Sequence, residues 1–152
     1  MTADRGKRLL WHGVLLFLIG LLTGFAIPAL TNPRLGLSAH MEALLNGMVL
    51  VLLGGVVWNY LKLSERMEKL VFWLFIYAAY ANWFFCLLAA IFGANKNLPI
   101  ASAGHRAAPW QEIPVNIGLG TGALSITLAC VLVLYGLRSQ TKEGGLETHQ
   151  IS

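Results

Sequence analysis

Charge is scarce in this chain: only 12% of its 152 residues are charged, while 57% are hydrophobic. Soluble domains carry about 25% charged residues, so a water-facing globule is excluded and lipid is the fitting solvent. Cysteine is scarce too. Cys86 and Cys130 stand alone in separate apolar runs, which excludes a disulfide framework and a zinc site built on paired cysteines. There is no GxGxxG fingerprint, so no dinucleotide-binding turn is indicated. The period-2 alternation of a membrane barrel is also missing, and a backbone in lipid must then satisfy itself as helix.

What is present is long and apolar. No Asp, Glu, Lys or Arg occurs in residues 9–30, 43–61, 70–95 or 113–137, and each run is long enough for a membrane-crossing helix. The spacing predicts an all-α, integral-membrane bundle of four transmembrane helices at about 10–30, 41–61, 70–93 and 114–137, forming a single domain over 1–140. Residues 141–152 are expected to form a disordered tail. Of the eleven basic residues, eight fall on one side: Arg5, Lys7, Arg8, Lys62, Arg66, Lys69, Arg138 and Lys142. Arg34, Lys96 and Arg106 fall on the other, so the positive-inside rule predicts both termini in the cytoplasm. The net charge of +4 then reflects topology and calls for no nucleic-acid partner. The basic start and apolar run also look like a signal peptide, but the run is long for one and three further spans follow.

The connections differ in character. Residues 31–40 read as a short external turn, with Ser38 as the expected N-cap of the second helix. Residues 62–69 form a charged cytoplasmic hairpin, and the Asn- and Pro-containing stretch 94–113 is expected to be irregular. Gly20 and Gly24, Gly118 and Gly122, and the pair Gly54 and Gly55 read as close helix-packing positions. The third span is crowded with rings, including Trp73, Tyr77, Tyr80, Trp83, Phe84 and Phe85. Such a wall serves packing or the membrane interface, and it also suits a flat aromatic ligand.

Polar groups at membrane depth are costly and mark candidate sites. Asn46 and Asn82 lie inside the second and third spans, and Glu42 shares the helical face of Asn46 one turn earlier. Each also has an ordinary use, the amides as interhelical hydrogen-bond partners and Glu42 as a first-turn carboxylate. Tyr80 and Asn82 fall on nearly opposite faces of one helix. His40 is expected to open the second helix on the external side and His12 the first helix on the cytoplasmic side. A bis-histidine haem between them is excluded, because a membrane about 30 Å thick separates the two. His105 and His149 read as solvated. A proton-coupled exporter lacks the carboxylate it would need in the first helix.

The stretch HGVLLFLIGLLTGFAIPALTNPRLGLSAHMEALLNGMVLVLLG, His12 to Gly54, closely resembles the bacterial hydroxylaminobenzene mutases, small membrane enzymes of nitroaromatic degradation. Within it, AHMEALLNGMV is similar to the haem-binding helix of the styrene oxide isomerases, whose pattern is AH-x4-LNGM. This second resemblance implies that His40 is the axial ligand of a b-type haem and that Asn46 is an active-site asparagine. It further implies a homotrimer with haem held between neighbouring subunits. Six residues of helix turn through about 600°, so His40 and Asn46 point about 120° apart and would serve one site only if a neighbour supplied the other face. Where the isomerases carry an aspartate and a tyrosine on the third helix, this sequence has Ala78 and Cys86, which speaks against epoxide chemistry.

The resemblance implies an isomerase of the bacterial inner membrane that rearranges hydroxylaminobenzene to 2-aminophenol, with ferric haem b as Lewis acid. His40 would hold the iron, and Arg34 is a candidate for the haem propionates. Asn46, Asn82, Tyr80 and Glu42 are the candidate catalytic groups, acting on a small aromatic hydroxylamine. The alternatives are a haem-dependent epoxide isomerase, a haem-free exporter of hydrophobic cations, and a haem-sensing subunit without turnover.

Overall fold

The computed structural model describes residues 2–94, 96, 100–102 and 104–138. These form four helices: α1 (Thr2–Ala26), α2 (Pro33–Gly55), α3 (Glu65–Phe92) and α4 (Pro109–Arg138). There is no strand among the described residues. All four helices are long and apolar enough to cross a membrane, and their outer faces carry bare apolar side chains such as Phe25, Ile117, Leu124 and Leu134. Such faces suit a lipid solvent and suggest a multi-pass membrane protein. The expected tail at 141–152 lies outside the described residues.

The helices start earlier than charge gaps alone suggest, because capping residues sit among polar ones. Residues 33–40, expected as a turn, are the first two turns of α2. Its N-cap is Asn32, whose Oδ1 accepts from the backbone N–H groups of Arg34 (3.0 Å) and Leu35 (3.2 Å), with Pro33 just inside the helix. Ser38 therefore caps nothing; its hydroxyl donates to the Arg34 carbonyl. His40 and Glu42 consequently lie inside α2, and neither opens the helix. α4 likewise begins at Pro109 rather than Pro114, with the Gln111 side chain accepting from the Ala108 N–H at 2.9 Å in capping-box fashion. α3 starts behind Ser64 and stops at Gly93, whose φ of 70° suits a residue without a Cβ.

α1 and α2 pack antiparallel through glycines spaced seven apart. Gly6 faces Gly54 and Gly13 faces Gly47, so close that a Cβ on Gly13 would lie 2.7 Å from the Gly47 carbonyl oxygen. Helices associating in lipid gain mainly from such backbone approach. Across the bundle, Gly118 of α4 lies beneath the Phe85 ring of α3. At one end, buried Arg5 joins α1 to the first turn of α3, 2.7 Å from Glu68 and 3.2 Å from Glu65. At the other, Asn32 Nδ2 donates to the carbonyls of Ala101 and Ser102, tying the 94–108 connection to α2. The described part of that connection contains only turns and extended segments, as its composition suggests.

Replacing Gly47 by Ala pushes a methyl group into the α1 backbone and is expected to cost about 1–3 kcal/mol. Gly120 has open space around its Cβ position, so Gly120→Ala is the matched control and leaves stability unchanged or slightly raised. Thermal unfolding in detergent checks the pair; equal melting temperatures would remove the glycine contact as a stabilising element.

Candidate functional site

The candidate polar groups separate into two environments on different sides of α2. Half-buried His40 faces α1, with Nδ1 2.7 Å from the Gly20 carbonyl oxygen. A carbonyl only accepts, so Nδ1 is the donor, and Nε2 is the nitrogen left for another partner. The seat for the ring exists because residue 24 is glycine: a Cβ there would stand 2.9 Å from Nδ1 and 3.0 Å from Cε1. The Gly20 and Gly24 pair that reads as a packing motif is thus also the cradle of an imidazole.

Asn46 opens the other way. With Ala78 and Asn82 of α3 and Leu119, Gly122, Ala123 and Ile126 of α4, it lines a cavity of about 180 Å³. Glu42 lies one turn before Asn46, about 40° away around the helix. Its Oε2 accepts from Asn82 Nδ2 at 2.5 Å, joining α2 to α3 beside the cavity. Asn46 Nδ2 is buried with no hydrogen-bond partner among the described residues, in contrast to the rule that buried polar groups are paired. A residue of the cavity lining thus carries an amide donor without an acceptor there.

Of the remaining candidates, Tyr80 lies on the seam between α3 and α1, away from the cavity. Its hydroxyl is 3.2 Å from His12 Nδ1 and donates to the His12 carbonyl at 3.4 Å. Arg34 is exposed in the first turn of α2. Within one chain, then, Asn46, Asn82 and Glu42 come together, whereas His40, Tyr80 and Arg34 stay outside that cluster. Arg106 of the connection lines a separate cavity of about 500 Å³ with Lys96, Glu112 and Asn116.

Two features escape the sequence pattern. Thr23 is buried at the α1–α3 seam, accepting from Trp83 Nε1 at 3.1 Å while donating to the Ile19 carbonyl. Gly122 opens the cavity toward α4, though its spacing from Gly118 suggests packing alone. In each case the partner comes from a helix distant in sequence, so no local signal could reveal it.

A family model described as styrene oxide isomerase matches residues 5–138. Among curated proteins, the chain is 45% identical over 138 residues to hydroxylaminobenzene mutase HabB of Ectopseudomonas oleovorans, covering 90% of this chain and 84% of that protein. Hydroxylaminobenzene mutase HabA of the same organism is 39% identical over 126 residues, covering 82% and 93% respectively. No solved structure matches the chain.

The Glu42–Asn82 bond makes a thermodynamic prediction. In a double-mutant cycle of Glu42→Ala and Asn82→Ala, read by unfolding in detergent, the coupling energy is expected at about 1.5–3 kcal/mol, the range for bonds to charged groups. Strictly additive effects would mean that the two side chains do not support each other.

Proposed function

The chain belongs to the styrene oxide isomerase family and is an isomerase, and from that premise we propose that it rearranges hydroxylaminobenzene to 2-aminophenol. The observation that carries this reading is the similarity to two hydroxylaminobenzene mutases over most of the chain. Residues 78 and 86 agree with it. Ala78 leaves the cavity wall bare and Cys86 is buried, so neither supplies the acid groups that resemblance assigns to epoxide opening.

The reaction is an isomerisation, so atoms and electrons balance within the substrate. The N–O bond breaks, positive charge spreads over the ring, and the hydroxyl oxygen returns at the ortho carbon, which then loses its proton while the nitrogen gains one, restoring aromaticity as the NH becomes NH₂. No electron donor is required. Water is the competitor, because capture of the cation from bulk would place oxygen elsewhere on the ring. A site set among apolar helices limits that leak. Asn46 Nδ2, buried and unpartnered, is the donor available to the hydroxylamine oxygen, and Asn82 stands across the same cavity.

The cofactor in this reading is ferric haem b, which would supply a Lewis acid toward the hydroxylamine oxygen. His40 would be the residue that holds the iron. Its Nδ1–H is committed to Gly20, the arrangement that orients metal-binding imidazoles and leaves Nε2 as ligand. Arg34, exposed and about 9 Å along the helix from His40, is the cation offered to propionates. Because His40 and Asn46 leave α2 on different sides, the reading includes a homotrimer in which His40 of one chain completes the Asn46 cavity of the next. Apolar side chains beside His40, including Met41, Leu45 and Met48, are exposed and free to meet such a neighbour. The reading includes a bacterial inner membrane, and the distribution of basic residues supports both termini on its cytoplasmic side.

His40→Ala is expected to lose bound pigment and activity together. Gly24→Leu, which drives a side chain onto the imidazole, should do the same with His40 intact. Absorbance of the purified variants before and after dithionite checks both; a His40→Ala protein that keeps its Soret band and turnover would end the ligand assignment. In water enriched in oxygen-18, 2-aminophenol should form without the label, and substantial incorporation read by mass spectrometry would rule out internal transfer.

A further inference from the structure

The hydrogen bonding of Asn82 has a consequence for what the cavity selects, and this step rests on the arylhydroxylamine reading. The atom of Asn82 held by Glu42 is Nδ2. Its Oδ1 therefore occupies the other branch of the same planar amide, and the one side-chain hydrogen bond seen for Asn82 among the described residues is made by Nδ2. Since Asn82 lines the cavity, that branch is the one left for a ligand. Asn46 contributes the opposite polarity, a buried Nδ2 with no acceptor among the described residues.

We propose that Glu42 is a positioning residue: by holding Asn82 Nδ2 it aims Oδ1 at the cavity, which then opposes an acceptor on α3 to the Asn46 donor on α2. This pair fits a group that donates and accepts through one oxygen, the N–OH of an aryl hydroxylamine. It disfavours an oxygen that only accepts, such as an ether or an epoxide, because the Asn82 acceptor is then desolvated without a partner. A carboxylate has only acceptor oxygens and so permits one orientation of the Asn82 amide. A glutamine in its place offers both a carbonyl and an NH₂, so the amide can turn over and the polarity of the wall is no longer fixed. Glu42 thus acts through Asn82 and need not touch the substrate.

Two unreactive probes of similar size separate the possibilities: benzyl alcohol, which donates and accepts, and benzyl methyl ether, which only accepts. Their dissociation constants are measured by calorimetry on the purified full chain in detergent. The native protein is expected to prefer the alcohol by about tenfold, one neutral hydrogen bond's worth. Glu42→Gln should reduce that preference to less than about threefold, with the melting temperature reporting that the bundle is intact. Glu42→Asp, still an acceptor-only carboxylate, should restore most of it, which a purely structural role would not do. A folded Glu42→Gln protein with the full preference overturns the proposal, as does a native protein with none. Should Glu42→Gln fail to fold, Asn82→Ala removes the acceptor directly, and an undiminished preference there overturns it equally. Failure of the mutase reading shows separately, as hydroxylaminobenzene left unconverted by a native protein that still prefers the alcohol.

Discussion

Backbone contact between α1 and α2 is the constraint on which the rest depends. In lipid the apolar side chains gain little by leaving their surroundings, so two helices stay together only where their main chains approach closely. Glycines at 6, 13, 47 and 54 permit that approach, and their sevenfold spacing keeps the same faces in register over almost the whole hairpin. The register then decides where chemistry can sit. It brings Gly24 opposite His40 and the Gly20 carbonyl within reach of Nδ1, so the imidazole's protonation pattern follows from how two backbones meet. Every other face of α2 is left for α3 or for a neighbouring chain.

The second half of the bundle is organised by absence of bulk of another kind. Ala78, Ala81, Gly122 and Ala123 are small where α3 and α4 approach each other, but they are not collinear with a single close contact, and the space they leave remains as the cavity. Phe85 over Gly118 closes the helix pair toward one end. An amide on α2 and another on α3 look into this space, which in hydrocarbon they would do only if something compensated their desolvation. For Asn82 the compensation is Glu42; for Asn46 Nδ2 it is missing among the described residues. That asymmetry distinguishes a site from two interhelical bonds.

The four spans were legible because charge gaps are read one residue at a time, and the divergence of His40 from Asn46 followed from helical geometry alone. Helix starts were less so. The first turns of α2 and α4 contain Arg34, Ser38 and Glu112, whose polarity resembles a loop, and only the Asn32-Pro33 and Pro109-x-Gln111 signatures mark them as helix. The Glu42–Asn82 bond and the role of Gly24 depend on which faces of sequence-distant helices meet, and a single sequence carries that only as a set of compatible possibilities. Tyr80 shows the limit from the other direction: its polarity made it a candidate, yet His12 across the α1–α3 seam takes its hydroxyl.

The carboxylate is the most instructive of these residues. Resemblance to the isomerases places an acid on the third helix at position 78, where it would project directly into the cavity. Here that position is alanine, and the acid nearest the amides comes from α2, bonded to Asn82 from behind. A carboxyl group inside the cavity could itself protonate or deprotonate a substrate, whereas one spent on an amide changes only the orientation of a neutral dipole. Breaking an N–O bond with oxygen transferred back to the same molecule is poorly served by a mobile proton source at the ring, because protonation and water capture compete with the return of the hydroxyl. Keeping the acid outside and presenting neutral amides inside is a physically coherent way to retain a family's scaffold while changing which bond it can rearrange.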